Sequence, residues 1–392
     1  MIRFLSVLFL IVACSNKASH TSAESNEVEQ KAESVKVGAE QLDLLIPLLQ
    51  NKPIAMVVNH TAMVGSTHLV DTLLKSGINI KKIMAPEHGF RGKADAGETV
   101  KDGADSKTGL PIVSLYGNNK KPTNEQLSDV DIVVFDIQDV GVRFFTYIST
   151  LHYVMEACAE NGKQVIVLDR PNPNGDYVDG PLLQAEHQSF VGMHPIPVVH
   201  GMTIGEYASM INGQGWIKRK CALEVIKLKH WKHSDAYSLP NKPSPNLPND
   251  HAIRLYPSTC LFEGTVISVG RGTQMPFEVL GHPNLKNMSF SFTPISIEGM
   301  SKNPPFENKM CYGLDLQKVA VKKQLDLSYL IQLYRLYPDQ EKFFIPYFEK
   351  LVGTSALREQ IKNGMTEEAI RKTWEADLKN FMDIRAKYLL YQ

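Results

Sequence analysis

Four short polar clusters carry side chains that can move protons or grip an anion. They are Asn59-His60-Thr61, Pro86-Glu87-His88-Gly89-Phe90-Arg91-Gly92, Gln138-Asp139-Val140-Gly141-Val142-Arg143 and Asp169-Arg170-Pro171-Asn172-Pro173-Asn174-Gly175. Glu87 leads for proton transfer, because it sits on a glycine-punctuated loop, where catalytic groups concentrate. A carboxyl group partly shielded from water keeps its proton to higher pH, which suits a general acid. The plainer reading pairs Glu87 with Arg91. Asp139 stands at a strand exit and is more available than Asp136, which lies inside an apolar run. Arg143 either grips a substrate carboxylate or pairs with Asp139 four residues earlier. Asp169 precedes a Pro/Asn-Gly segment of fixed shape and is either a ligand contact or part of a rigid turn. His60 and His88 could ligate a metal or hydrogen-bond at strand ends. Carboxylates, amides, histidines and arginines together suit a polyol bearing a carboxylate, which arginine can hold in two-pronged fashion.

Further along, Phe262-Glu263-Gly264-Thr265 and Gly270-Arg271-Gly272-Thr273 bring Glu263 and Arg271 beside small residues. The glycines would let a guanidinium approach a ligand, though a β-bulge explains them equally. Thr203 and Glu206 have capping-box spacing, which accounts for Glu206 structurally. Pro243-Ser244-Pro245-Asn246-Leu247-Pro248 is a stiff extended segment suited to a wall or a domain crossing.

The elements that must position these groups alternate short apolar runs with helical stretches, the signature of a parallel sheet covered by helices. Strands are expected at residues 54–58, 80–84, 111–116, 131–137 and 165–168. Their continuous apolar runs suit strands buried on both faces. A helix is expected over 144–161, ended by Asn161-Gly162. Four of these strands deliver the polar clusters beyond their carboxyl ends, where ligands bind in open α/β sheets. No G-x-G-x-x-G follows a strand and no P-loop spacing is present, so nothing points to a nucleotide cofactor. A serine-hydrolase elbow and a zinc-protease H-E-x-x-H are also missing. Residues 289–292 and 295–297 alternate as half-buried strands do. Trp374, Leu378, Phe381, Ile384 and Tyr388 recur at helical spacing.

Residues 1–13 read as a signal peptide: Arg3, an apolar run, then Ile11-Val12-Ala13-Cys14, similar to a bacterial lipobox that would acylate Cys14. Residues 14–37 are rich in Ser, Glu, Lys and Asn and read as a solvated tether. The expected location is the cell envelope, lipid-anchored and facing the periplasm. The 392 residues carry 42 Lys plus Arg against 42 Asp plus Glu, a balance that argues against nucleic acid as a partner. Cys158, Cys221, Cys260 and Cys311 show no zinc-site spacing. An oxidising compartment would permit one or two disulfides among them, with Cys158 read as a core residue.

The clusters, with Thr108-Gly109-Leu110-Pro111-Ile112-Val113-Ser114-Leu115-Tyr116-Gly117, residues 135–150, His200-Gly201-Met202-Thr203-Ile204-Gly205-Glu206, residues 243–248 and residues 262–277, resemble the exo-β-N-acetylmuramidases of the NamZ type. The resemblance spans residues 50–280. It implies a Rossmann-like catalytic domain (38–257), a smaller α+β C-terminal domain (258–392), and a site in the cleft between them, with no nucleotide or metal required. It further implies that terminal N-acetylmuramic acid is released from the non-reducing ends of peptidoglycan fragments, with Glu87 as the catalytic residue. Asn59, His60, His88, Arg91, Arg143, Asp169, Glu263 and Arg271 are then expected to bind substrate. Asp139, Glu263 and Asp169, in that order, are candidates for a second carboxyl group, which the substrate's acetamido group could replace. Phe145 stands where many relatives are expected to have tyrosine. The competing readings are a non-catalytic cell-wall-binding lipoprotein and a metal-dependent hydrolase using His60, His88 and Asp139.

Overall fold

The computed structural model describes Met1, residues 33–87, residues 89–90 and residues 103–392. Cys14, the leader and most of the expected tether lie outside the described residues, as do His88 and Arg91. Residues 35–392 form one compact unit.

Six parallel strands build the main sheet: β1 (Ile54–Val58), β2 (Ile80–Ala85), β3 (Pro111–Ser114), β4 (Ile132–Asp136), β5 (Gln164–Leu168) and β6 (Ala222–Ile226). Their spatial order is β3-β2-β1-β4-β5-β6, with the short antiparallel strand Gly103–Ala104 beyond β3. This is the Rossmann order, whose direction reverses between β1 and β4. The strands read as unbroken apolar runs because alternate side chains feed two different cores. Ile54, Met56, Val58, Ile132, Val134, Ile166 and Leu168 pack with helices α1 (Leu42–Leu49) and α2 (Leu69–Lys75). Ala55, Val57, Val133, Phe135, Val165 and Val167 pack with α3 (Tyr147–Glu160) and α4 (Ile204–Gly213) on the other face. The period of two explains the split.

β6 was not among the expected strands, since its residues alternate between exposed and partly buried up to Ile226, as befits an edge strand. The expected helix at 144–161 begins at Tyr147, leaving residues 144–146 as a turn at the rim. Residues 295–297 form no strand, only a single bridge from Ile297 to Ser301.

Helix α5 (Asp250–Thr259) leads into the C-terminal region, so the boundary expected at 257/258 falls inside a helix. That region carries an antiparallel sheet of β7 (Val279–His282), β8 (Phe290–Phe292) and β9 (Cys311–Asp315), with β9 in the middle. Helices α6 (Ser328–Leu336) and α7 (Glu375–Arg385) follow. Beyond α7 the chain returns to the main sheet, where the Tyr391 hydroxyl donates to Asp169 Oδ2 at 2.5 Å. Among the described residues, no helix is long and apolar enough to cross a membrane. All four described cysteines are free, buried thiols.

Candidate active site

Asn59 follows β1, Glu87 follows β2, Tyr116 follows β3 and Tyr147 follows β4, so four neighbouring strands supply one patch of side chains. The Asn59 amide is fixed first. Its Oδ1 accepts from Thr61 N at 2.9 Å and from Thr61 Oγ1 at 2.6 Å, which turns Nδ2 toward the Tyr147 hydroxyl at 3.0 Å. That bond ties the end of β1 to the first residue of α3. The phenol oxygen thus has a donor already, and its own hydrogen is left to point elsewhere. A glycine makes the turn after β4 possible: Gly141 has φ +75°, and a Cβ there would lie 2.2 Å from the Asn172 amide.

Glu87 is partly buried and lines a pocket together with Phe144, Phe145, Thr146, Tyr147, Ser244, Leu247, Tyr256, Arg271 and Phe277. Tyr116 donates to Glu87 Oε1 at 3.1 Å, and Thr146 Oγ1 donates to Oε2 at 3.3 Å. Both Tyr116 and Tyr147 phenols are pushed up, by burial first and then by the Glu87 charge, so each stays a proton donor. Phe144, Phe145 and Phe277 meet Tyr256 edge-on at centroid separations of 5.4, 5.9 and 4.9 Å. These near-perpendicular contacts lock the aromatic rings against one another. Ser244 and Leu247 come from the proline-rich segment, which therefore serves as a wall.

Arg271 faces the same pocket. Its Nε donates to Glu263 Oε1 at 2.6 Å, and its guanidinium lies 5.1 Å from the centre of the Phe277 ring. Burial works against its charge, but the Glu263 carboxylate outweighs this and holds it firmly protonated. Nη1 is buried with no hydrogen-bond partner among the described residues, so the guanidinium that lines the pocket keeps one donor uncommitted. Glu263 is thus engaged as the partner of Arg271.

The other expected residues lie behind the pocket. Arg143 is fully buried, and its guanidinium donates to the carbonyls of Pro181, Ile196 and Leu351 at 2.9, 2.6 and 3.1 Å. It is a clamp within the fold, and its expected contact with a substrate carboxylate is corrected by this burial. Asp169 is also fully buried, accepting from Tyr391, Thr203 Oγ1 at 2.7 Å and Gly205 N at 2.8 Å. Burial pushes its carboxyl up to about 6, and its role is to fasten α4 and the C-terminal residues to the sheet. Asp136 pairs with Arg170 through two bonds of 2.6 and 2.9 Å. Glu206 closes the expected capping box on Thr203.

Asp139 is 5% exposed and does not line the pocket. Its Oδ2 accepts from Gly141 N at 2.6 Å, and burial pushes its carboxyl up to about 7. Its nearest ionisable partner is His200 Nε2 at 3.9 Å, a ring that burial pushes down to about 3. His60 instead bonds the Lys242 carbonyl at 2.8 Å. Among the described residues, no group of three His, Cys, Asp or Glu side chains could hold a metal ion.

Sequence reasoning did not single out Thr146, Tyr147 or Tyr256 as lining residues. Tyr116 sits just past the end of β3, and the rule that flagged Glu87 would have found it had hydroxyls been weighed with charges; Tyr147 opens α3, eleven residues beyond β4.

A carboxyl and a guanidinium lining one aromatic-walled pocket, on a Rossmann-like sheet without the nucleotide fingerprint, fit an α/β enzyme of the glycosidase type. Comparison with known proteins places the chain more closely. The N-terminal model of exo-beta-N-acetylmuramidase NamZ matches residues 54–251 and the C-terminal model matches residues 254–391. The chain belongs to this family. It is 40% identical over 407 aligned positions to peptidoglycan beta-N-acetylmuramidase NamZ of Bacillus subtilis, with 95% of each chain covered. Two crystal structures of DUF1343 family proteins from Bacteroides fragilis share the fold. One is 48% identical with a TM-score of 0.86, covering 92% of this chain and 99% of that one. The other is 30% identical with a TM-score of 0.78, covering 91% and 99%.

Proposed function

We propose that this protein is an exo-β-N-acetylmuramidase that releases terminal N-acetylmuramic acid from the non-reducing ends of peptidoglycan fragments, with Glu87 as the general acid. The observation that carries this reading is that Glu87 and Arg271 line one pocket. N-acetylmuramic acid differs from its neighbour in the glycan by a lactyl carboxylate. Arg271 would take that group, and the ring would pack on the wall of Phe144, Phe145 and Tyr256.

In the reaction, protonated Glu87 gives its hydrogen to the glycosidic oxygen as the C1–O bond breaks. Tyr116 and Thr146 stabilise the carboxylate that remains, since both hydroxyls donate to it. Among the described lining residues Glu87 is the one carboxyl group, which favours the substrate's acetamido oxygen as the group that attacks C1. Water then opens the resulting ring, returning a proton to Glu87 and retaining the anomeric configuration. Phe145 lines the pocket, so no aromatic hydroxyl is needed at that position. Acylation at Cys14 would hold the enzyme at a periplasmic membrane surface.

The test is release of a chromogenic aglycone from an N-acetylmuramic acid glycoside. Glu87→Gln should lower kcat by about 100-fold or more, with KM little changed. Undiminished turnover would remove Glu87 from its role. Inversion at C1, seen by proton NMR of the first product, would refute the acetamido route. Failure of Cys14 to take up labelled fatty acid in cells would refute the anchor.

A further inference from the structure

We propose that the β6 edge of the main sheet is a docking surface for an anionic phospholipid bilayer. The segment from residue 216 to 233 contains six cations, Lys218, Arg219, Lys220, Lys227, Lys229 and Lys232, and one anion, Glu224. All six cations are exposed, and none forms an ion pair among the described residues. They flank β6, which pairs only with β5 and so forms the outer margin of the sheet. The whole chain is electrically balanced, so a local excess this large has been gathered in one place.

A second observation points the same way. Lys36 and Lys229 face each other in an antiparallel bridge, each main-chain N–H donating to the other's carbonyl at 3.0 Å. Both side chains are exposed. Like charges directly opposite each other across strands are destabilising, so the fold bears a repulsion here that an anionic partner would relieve. Glu224 on β6, Asp235, whose carboxylate accepts from the Lys232 main-chain N–H at 3.0 Å, and Glu40, whose carboxylate accepts from Val37 N at 3.2 Å, lie near this edge, but none of them forms an ion pair with Lys36 or Lys229 among the described residues.

A bilayer surface fits this arrangement better than a compact ligand would. The cations are spread along the edge, three before a five-residue strand and three after it. They converge on no cavity. The compact unit also begins at this edge, since Val35 and Lys36 run beside residue 229. The pocket opens at the carboxyl-end rim, where Glu87 and residues 144–147 line it. Glu87 follows β2, four strand spacings from β6, or about 19 Å across the sheet. Docking by the β6 edge therefore leaves the pocket clear of the lipid. The inference stands on the edge charges alone and does not require acylation of Cys14.

The experiment uses the processed chain beginning at residue 14 with Cys14→Ser, so that no lipid is attached. Sedimentation with phosphatidylcholine vesicles, with and without about one third phosphatidylglycerol, reads the binding. Binding to the anionic vesicles only is expected, and it should fall steeply as salt is raised. Changing Lys227, Lys229 and Lys232 together to Gln should weaken it by about 100-fold, at roughly fivefold per cation. The triple change at Lys218, Arg219 and Lys220 should do the same. Turnover of a soluble substrate should be unchanged in both. Lys36→Gln gives a readout independent of these: vesicle binding should fall while Tm rises slightly, because the like-charge pair is gone. Absence of binding to anionic vesicles, equal binding to neutral ones, or binding indifferent to these substitutions would overturn the proposal. Capture of a soluble polyanion without vesicle binding would overturn the choice of partner.

Discussion

Thr146 occupies the N-cap position of α3 yet makes no capping bond; its hydroxyl donates instead to Glu87 Oε2 at 3.3 Å. The helix start is spent on orienting a carboxyl group. Thr146→Val should therefore lower kcat several-fold while changing unfolding free energy by only a few tenths of a kcal/mol. Thr366→Ala is the opposite case, because Thr366 does accept from Ala369 N at 3.2 Å. That change should cost about 1 kcal/mol and leave kcat alone. Urea unfolding and steady-state kinetics on both variants check the contrast.

Arg271 separates recognition from chemistry. Arg271→Gln should raise KM for an N-acetylmuramic acid glycoside by about 10- to 100-fold, the range for a lost charge-assisted contact. The same glycoside without its lactyl carboxylate should show little change. Equal losses on both substrates would mean that Arg271 acts only through Glu263.

Arg143 should behave in the reverse way. Arg143→Met strips three buried carbonyls of their donor, and each such loss costs on the order of 1–3 kcal/mol. A marked fall in Tm is expected, with KM for any surviving folded enzyme unchanged. A raised KM at normal stability would return Arg143 to the binding surface.

Asp139 gives a pH signature. Its folded carboxyl titrates near 7 against an ordinary value of 3.8. The folded state thus holds an extra proton between these values. The stability this confers is complete near pH 4 and is lost as pH rises through 7. Asp139→Asn removes that dependence, so the variant should gain on the wild type between pH 5 and 8, by as much as ~4 kcal/mol over the whole window. His200, pushed down to about 3, acts with opposite sign but is present in both proteins. The difference between urea curves at the two pH values isolates Asp139, and parallel curves would contradict its raised titration.

The sheet was legible in the sequence because its strands are buried on both faces and read as unbroken apolar runs. β6 escaped because an edge strand alternates, and its charged flanks resemble a loop. The rim rule placed Asn59, Glu87 and Asp139 at strand ends, but not which of them reach the pocket. Burial decides that, and it depends on what packs on top. Arg143 illustrates the limit: its carbonyl partners lie 38, 53 and 208 residues away, beyond any local pattern. Aromatic lining from α5 and from residues 144–147 was hidden for the same reason, since their spacing fits an ordinary core.

Tyr391 reaches back to Asp169 and also accepts from Leu228 N at 2.9 Å. During synthesis the sheet emerges long before residue 391, so Asp169 must wait uncovered while the 222 residues that separate it from Tyr391 are made. A nascent chain halted before residue 391 would leave that carboxyl beside Glu206 without its phenol cover, and Leu228 N without its acceptor.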